Sequence, residues 1–352
     1  MYNSNKIKLF LLDNLIWVLV LLFFIINAIF TPKFASPTNL VNICYHATIL
    51  ALLVLGQGLI LIVGQMDLSI ESTMAFAPGI AVLLATQWLP GGMNPYICIL
   101  VTLLVGALVG LFNGLLVSRV GVNPFLQTLS TNIMLRGLVL FLLPFSLFNI
   151  DPVYIFAGSG FVFGIQAAIP IVLVIFAIFQ YVLKYTTFGR SFMATGGNAK
   201  ASYISGINTK RILTIAFVLS GLLAGVAGLL AAGRAGSIAN SMGDGMVMMS
   251  FAGAILGGAS LSGGKGTPLG MLGGALLLQM ISNSLTLLGV PINLVYAVKG
   301  GLIFLAILLD RYKIRLRSNI LQQAQLKELM QKPATQDSAA QETPSSEDSS
   351  RE

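Results

Sequence analysis

Apolar runs of about 20 residues, separated by short polar joints, recur from Leu11 to Leu309, and a run of that length crosses the hydrocarbon core of a bilayer. The pattern predicts about ten helices: 12–30, 47–64, 69–88, 95–117, 124–145, 167–184, 212–232, 245–259, 268–288 and 293–309. The eighth is short for a full crossing. Between the fifth and sixth, 151–165 is too glycine-punctuated to count as a span. The fold class expected is therefore an all-α polytopic membrane protein. Residues 1–318 form its membrane domain, and 319–352, polar and acidic toward the end, form a tail expected to be disordered.

Composition agrees. Of 352 residues, 56% are apolar and only 9% are charged, against roughly 25% charged in a soluble domain. The net charge of +8 lies in the joints, so it reads as the cytoplasmic excess of Lys and Arg and not as a nucleic-acid surface. With the N-terminus inside, Lys6, Lys8, Arg119, Lys184, Arg190, Lys200, Lys210, Arg211, Lys265, Arg311, Lys313, Arg315 and Arg317 face the cytoplasm, while Lys33 and Arg234 face outward. Both termini are then cytoplasmic. The first run follows Lys6 and Lys8 as in a signal peptide, but lacks a small-residue cleavage site and is read as a retained span. Cys44 and Cys98 are isolated, and His46 is the only histidine, so neither a disulfide framework nor a histidine metal site is expected.

One polar island interrupts the pattern at 185–211, YTTFGRSFMATGGNAKASYISGINTKR, with several cations and no acid. Gly196-Gly197 is expected to turn, Asn198 to cap a short helix over 199–205, and Gly206 to end it. A capped helix in a connecting loop is built to touch something. The candidate docking residues are Gly189, Arg190, Gly196, Gly197, Asn198, Ala199, Ala201, Ser202, Ser205 and Gly206.

A weak internal repeat runs through the chain in preserved order. Asp67 matches Asp244, Phe76 matches Phe251, Asn113 matches Asn283, and Arg136-Gly137 matches Lys299-Gly300. On the charge map, spans two to five run opposite to spans seven to ten, an inverted repeat of the kind used for alternating access. Glycines at helical spacing, Gly106/Gly110/Gly114, Gly221/Gly225 and Gly270/Gly274, are expected to pack helices within one subunit.

Candidate gate and pathway residues are Asp67, Ser69, Glu71, Asn113 and Asn283. Asp67 is expected to cap the third span at its cytoplasmic end, with Glu71 in the first turn against that helix's own dipole. The alternative is that these acids gate the pathway. Arg136 and Lys299 lie nearer mid-span, either snorkelling or paired with an acid. Gly263-Gly264-Lys265-Gly266 is no phosphate loop, because Ala259 and Gly266 stand where glycine and Ser/Thr are needed. No catalytic constellation is present in the sequence, and no cofactor is expected.

Three segments resemble the permease subunits of bacterial ATP-binding-cassette importers for ribose and related monosaccharides, in the branched-chain amino acid/ribose permease superfamily. They are 64–69 (GQMDLS), 188–208 (from FGR through ATGGN to SGIN) and 256–266 (LGGASLSGGKG). Gln65 and Glu71 depart from the glycines usual there. The resemblance implies an inner-membrane protein in a homo- or heterodimer of permeases. It also implies a cytoplasmic ATPase, often with two nucleotide-binding domains in one chain, and a periplasmic sugar-binding protein. The helix at 199–205 would be the coupling helix docking on that ATPase. Alternatives are the same importer for branched-chain amino acids or another small ligand, and an ion-coupled secondary transporter. Charges near the helix ends are expected to disfavour the last.

Overall fold

The computed structural model describes residues 14–148 and 150–291, with isolated positions beyond them to 322. The body is one compact unit, Asp13–Asp310. Several residues of the expected tenth span, Lys299 among them, and the tail 319–352 apart from residue 322 lie outside the described residues.

The helices are α1 (Leu15–Phe30), α2 (Pro37–Ile62), α3 (Ile70–Leu83), α4 (Pro95–Leu115), α5 (Pro124–Leu142), α6 (Pro152–Ser159), α7 (Ala168–Tyr185), α8 (Thr187–Gly197), α9 (Ala199–Ile204), α10 (Thr209–Ala235), α11 (Met246–Leu256) and α12 (Pro268–Leu287). One-turn π segments extend α3 and α4, at Leu84–Trp88 and Leu116–Val120. A two-strand hairpin, β1 (Phe161–Val162) with β2 (Ile165–Gln166), follows α6. Among the described residues, six helices are long and apolar enough to cross a membrane: α2, α4, α5, α7, α10 and α12.

Many helix starts are written in the sequence as a cap residue followed by proline. Ser36-Pro37, Asn94-Pro95, Asn123-Pro124, Asp151-Pro152 and Thr267-Pro268 each place a side-chain acceptor on the first free amides, and proline loses nothing at a position whose N–H has no helical partner. This explains why the second helix begins at Pro37 and not near residue 47: polar Asn39 and Asn42 dilute the apolar run without breaking the helix.

Burial follows the glycine stripes. A Cβ on Gly110 would strike the carbonyl of Phe217, and one on Gly221 the carbonyl of Gly106, so α4 and α10 approach backbone to backbone. Gly270 and Gly274 of α12 meet Gly257 and Gly253 in the same way. These stripes pack helices within the subunit. On the opposite side of α4, Leu100, Leu104, Leu108 and Phe112 form an exposed stripe at helical spacing, the apolar face that lipid covers.

Two helices start inside the bundle, and the second of them is only a half-length crossing. At α2's end, Gly64 (φ +74) reverses the chain, which re-enters the protein so that α3 starts with Ile70 against Gly56. At the far end, Gly236 (φ +62) ends α10, and residues 237–245 fold back to α11. That helix has 11 residues, about 16 Å at about 1.5 Å per residue, half of a roughly 30 Å core. The two N-termini meet inside the bundle. α3 runs away from the end that carries Arg119, Arg190, Lys200 and Lys265, here called the basic end, and α11 runs toward it.

Candidate functional site

The first candidate region is the polar cage at the α3 N-terminus. Asp67 is 2% exposed. Its Oδ1 accepts from the Ser69 amide (2.9 Å) and hydroxyl (2.6 Å), and its Oδ2 accepts from the Ser220 hydroxyl (2.9 Å). Ser69 Oγ accepts from Asn113 Nδ2 (2.9 Å), whose Oδ1 accepts from Thr131 (2.7 Å) and Gln127 (3.3 Å). Gln127 also donates to Thr131 (3.2 Å). Four helices thus share one continuous hydrogen-bonded chain. Thr131 and Gln127 join the expected Asp67, Ser69 and Asn113, as does Ser220. Their signal was available: Gln127 and Thr131 share a face of α5, four residues apart.

Two expectations about Asp67 are overturned. Ser69, not Asp67, occupies the cap position. Nor does Asp67 sit at the basic end: its partner Ser220 lies along α10 from Thr209 by about 16 Å at about 1.5 Å per residue. Depth therefore gives no argument against ion coupling. The sequence predicted a span beginning at 69 on the membrane edge, whereas the re-entrant loop carries its start inward.

Glu71 is also displaced from its expected role. Its Oε2 accepts from the Val247 amide at 3.0 Å, so it caps α11 and not its own helix. Gly243 (φ +83) lies so close that a Cβ would press on the Glu71 carbonyl. One carboxylate therefore ties together the starts of α3 and α11. Arg136 pairs with Asp244 and donates to the carbonyls of Asn240 (2.7 Å) and Met242 (3.4 Å), which pins the 237–245 loop to α5. Asn283 lies elsewhere: its amide and that of Asn39 exchange hydrogen bonds of 3.0 Å. It does not join the cage, although it matches Asn113 in sequence.

The second region is at the basic end. Asn198 Oδ1 accepts from the Ala201 amide at 3.0 Å, and Gly206 (φ +85) follows the helix it starts. Gly196-Gly197 does not turn. Both residues belong to α8, and the reversal falls on extended Asn198. Glycine is needed at 196 for close approach: a Cβ there would collide with the Ile62 carbonyl and the Gly264 amide, whereas Gly197 has open space. Gly264 N–H donates to Ile62 O (2.8 Å), and Gly64 and Gly263 flank the same point. The three segments that carry the family resemblance therefore meet in one place. On α9, Ala199, Lys200 and Ala201 are exposed and Ser202 turns inward. Tyr203 and Ile204 stand 72% and 84% exposed, an apolar tip that the sequence reading did not single out. Gly189, whose Cβ would meet the Leu183 carbonyl, sets the bend between α7 and α8, with exposed Arg190 beside it.

Residues 39–307 match the family described as branched-chain amino acid transport system / permease component. The ribose import permease protein RbsC of Haemophilus influenzae is 32% identical over 315 residues, covering 88% of this chain and 96% of that protein. RbsC of Bacillus subtilis is 33% identical over 292 residues, 82% of this chain and 89% of its own. The L-arabinose ABC transporter permease protein AraH of Azospirillum brasilense is 32% identical, covering 80% and 82%. No solved structure matches. With a membrane-spanning bundle, a buried polar cage inside it and a family match over most of its length, the chain belongs to the branched-chain amino acid transport system permease family and is a multi-pass inner-membrane permease.

Proposed function

We propose that this chain is the membrane subunit of an ATP-binding-cassette importer that takes up a monosaccharide delivered by a periplasmic binding protein. The observation that carries the reading is the cage. Ser69, Asn113, Gln127, Thr131 and Ser220 offer neutral donors and acceptors around a carboxylate whose oxygens are already engaged. Hydroxyls and amides match a neutral polyol, whereas a zwitterionic amino acid needs a paired cation that the cage, among the described residues, lacks. The relatives, ribose and arabinose permeases, support the same class.

The finer architecture follows. α3 packs on α4 and α10, as α11 packs on α12 and α2, and α4 meets α10 as α12 meets α2, which supports ten spans in an inverted repeat of spans two to five and seven to ten. The basic end, with both termini, lies in the cytoplasm. There α9 docks on an ATPase, two nucleotide-binding domains of which serve a homo- or heterodimer of permeases. The tail 319–352 remains a separate polar segment. Proteoliposomes holding the permease, its ATPase and its binding protein test this by ATP-dependent uptake of labelled ribose, arabinose and leucine. Sugar uptake abolished by vanadate is expected. Leucine uptake, or uptake driven by an ion gradient without ATP, refutes the assignment.

A further inference from the structure

Gln57 stands apart from the hydrogen-bonded cage. It is 0% exposed, in the last two turns of α2, and neither its amide nitrogen nor its oxygen has a hydrogen-bond partner among the described residues. The run around it, LLVLGQGLILI, is otherwise apolar, and Leu or Met would fill the same space without an orphaned amide. Burying an unpaired amide destabilises the state that buries it. A glutamine here therefore serves a state in which it is not sealed off.

Its direction follows from helix geometry, in which successive residues lie about 100° apart around the axis. Gly56 faces α3 and α10: a Cβ there lies 3.0 Å from Ile70 and 3.5 Å from Ser220. Val54 faces α11, where its side chain crowds Gly253, and Gly58 faces Met271 of α12. Gln57 falls between the first two directions, on the arc of α2 covered by α3 and α11. α12 covers the arc of Gly58, and α7 also packs on α2. Gln57 thus lies on the side of α2 that faces α3 and α11, the two helices whose starts Glu71 ties together.

We propose that Gln57 is a substrate contact of the translocation pathway: sealed between α3 and α11 in this conformation, its amide hydrogen-bonds sugar hydroxyls when those two helices part. This deepens the sugar-import reading and rests on it. One amide carries a double donor and an acceptor, so it can serve neighbouring hydroxyls of a polyol simultaneously. In the open state both the amide and the sugar are satisfied, and closure returns the amide to its orphaned state, which keeps the closed pathway from locking.

The test uses the full complex of permease, ATPase and binding protein in proteoliposomes, with labelled ribose, arabinose, allose and galactose as probes. Gln57→Leu and Gln57→Met are expected to cut uptake at least tenfold. Stimulation of ATP hydrolysis by loaded binding protein should stay within twofold of wild type, and the permease should melt at the same or a higher temperature. Uptake within twofold of wild type in both variants overturns the contact. Gln57→Cys, with Cys44 and Cys98 replaced by serine, decides the matter even where the apolar variants accumulate poorly. A small thiol reagent is expected to modify it during ATP turnover and not at rest, and protection under both conditions overturns the proposal. A wild-type complex that transports none of the four sugars overturns the importer reading and this contact together. Loss of the contact alone shows only in the variants.

Discussion

At the scale of single residues, Asp67 organises more hydrogen bonds than its expected capping role requires, and its neighbours determine what can replace it. Both donors from Ser69 fall on Oδ1, while Oδ2 meets only the Ser220 hydroxyl, and a hydroxyl can rotate from donor to acceptor. Asp67→Asn, with its carbonyl toward Ser69 and its NH2 toward Ser220, should therefore fold and melt close to wild type in detergent. Asp67→Leu strands the buried Ser69 amide and hydroxyl, each at about 1–3 kcal/mol, and should lower the melting temperature clearly. A dead but stable Asp67→Asn protein would assign the charge itself to transport. Gly196 and Gly197 separate just as sharply. Gly197→Ala meets nothing and gains about 0.5–1 kcal/mol of helix propensity, whereas Gly196→Ala must push the Ile62 carbonyl aside and should reduce the amount of folded permease in the membrane. The sequence displayed the glycine pair but not which use it served, because positive φ and close approach demand the same residue.

At the scale of elements, helix starts were legible wherever a cap residue preceded proline, and the α4–α10 seam was legible in glycine spacing. Helix starts inside the bundle were not. Hydrophobic length reports how much apolar chain exists, not the depth at which it begins, so the re-entrant stretches before α3 and α11 read as ordinary boundaries. Nor did spacing reveal that Tyr203 and Ile204 would project from α9 beyond the cap that Asn198 supplies. A six-residue helix is marginal alone, and two bare apolar side chains at its tip suit a partner's groove. Ile204→Asp and Ala201→Trp should leave the permease at normal levels while the ATPase co-purifies poorly and ATP-driven uptake falls at least tenfold. Normal ATPase recovery with both variants would reduce the loop to a connector.

At the scale of the whole molecule, the described cations of the joints divide between the ends of the bundle, Arg119, Arg190, Lys200 and Lys265 at one and Lys33 and Arg234 at the other, the division that cytoplasmic and external faces would make. With Cys44 and Cys98 replaced by serine, Lys200→Cys should resist a membrane-impermeant thiol reagent applied outside intact cells, and Ser237→Cys should react. The reverse labelling inverts the orientation. The ends of the bundle do not move independently. α4 locks to α10 and α12 to α2, each pair joining a helix of the first half of the chain to one of the second, so the two halves interdigitate and do not form two lobes. Opening must fall to the short elements between them, α3, α11 and the loop that Arg136 pins.

The seam between α4 and α10 also sets a problem of timing during synthesis. The atoms nearest a Cβ placed on Gly106, Gly110 or Gly114 all belong to residues 214–225, which the ribosome makes roughly 100 residues later, about 5–20 s at about 5–20 residues per second. Until then α4 waits in the bilayer with a bare groove along one side. A nascent chain stalled before residue 209 is therefore a membrane protein with its main packing face uncovered, and the quality-control proteases of the membrane should find it there.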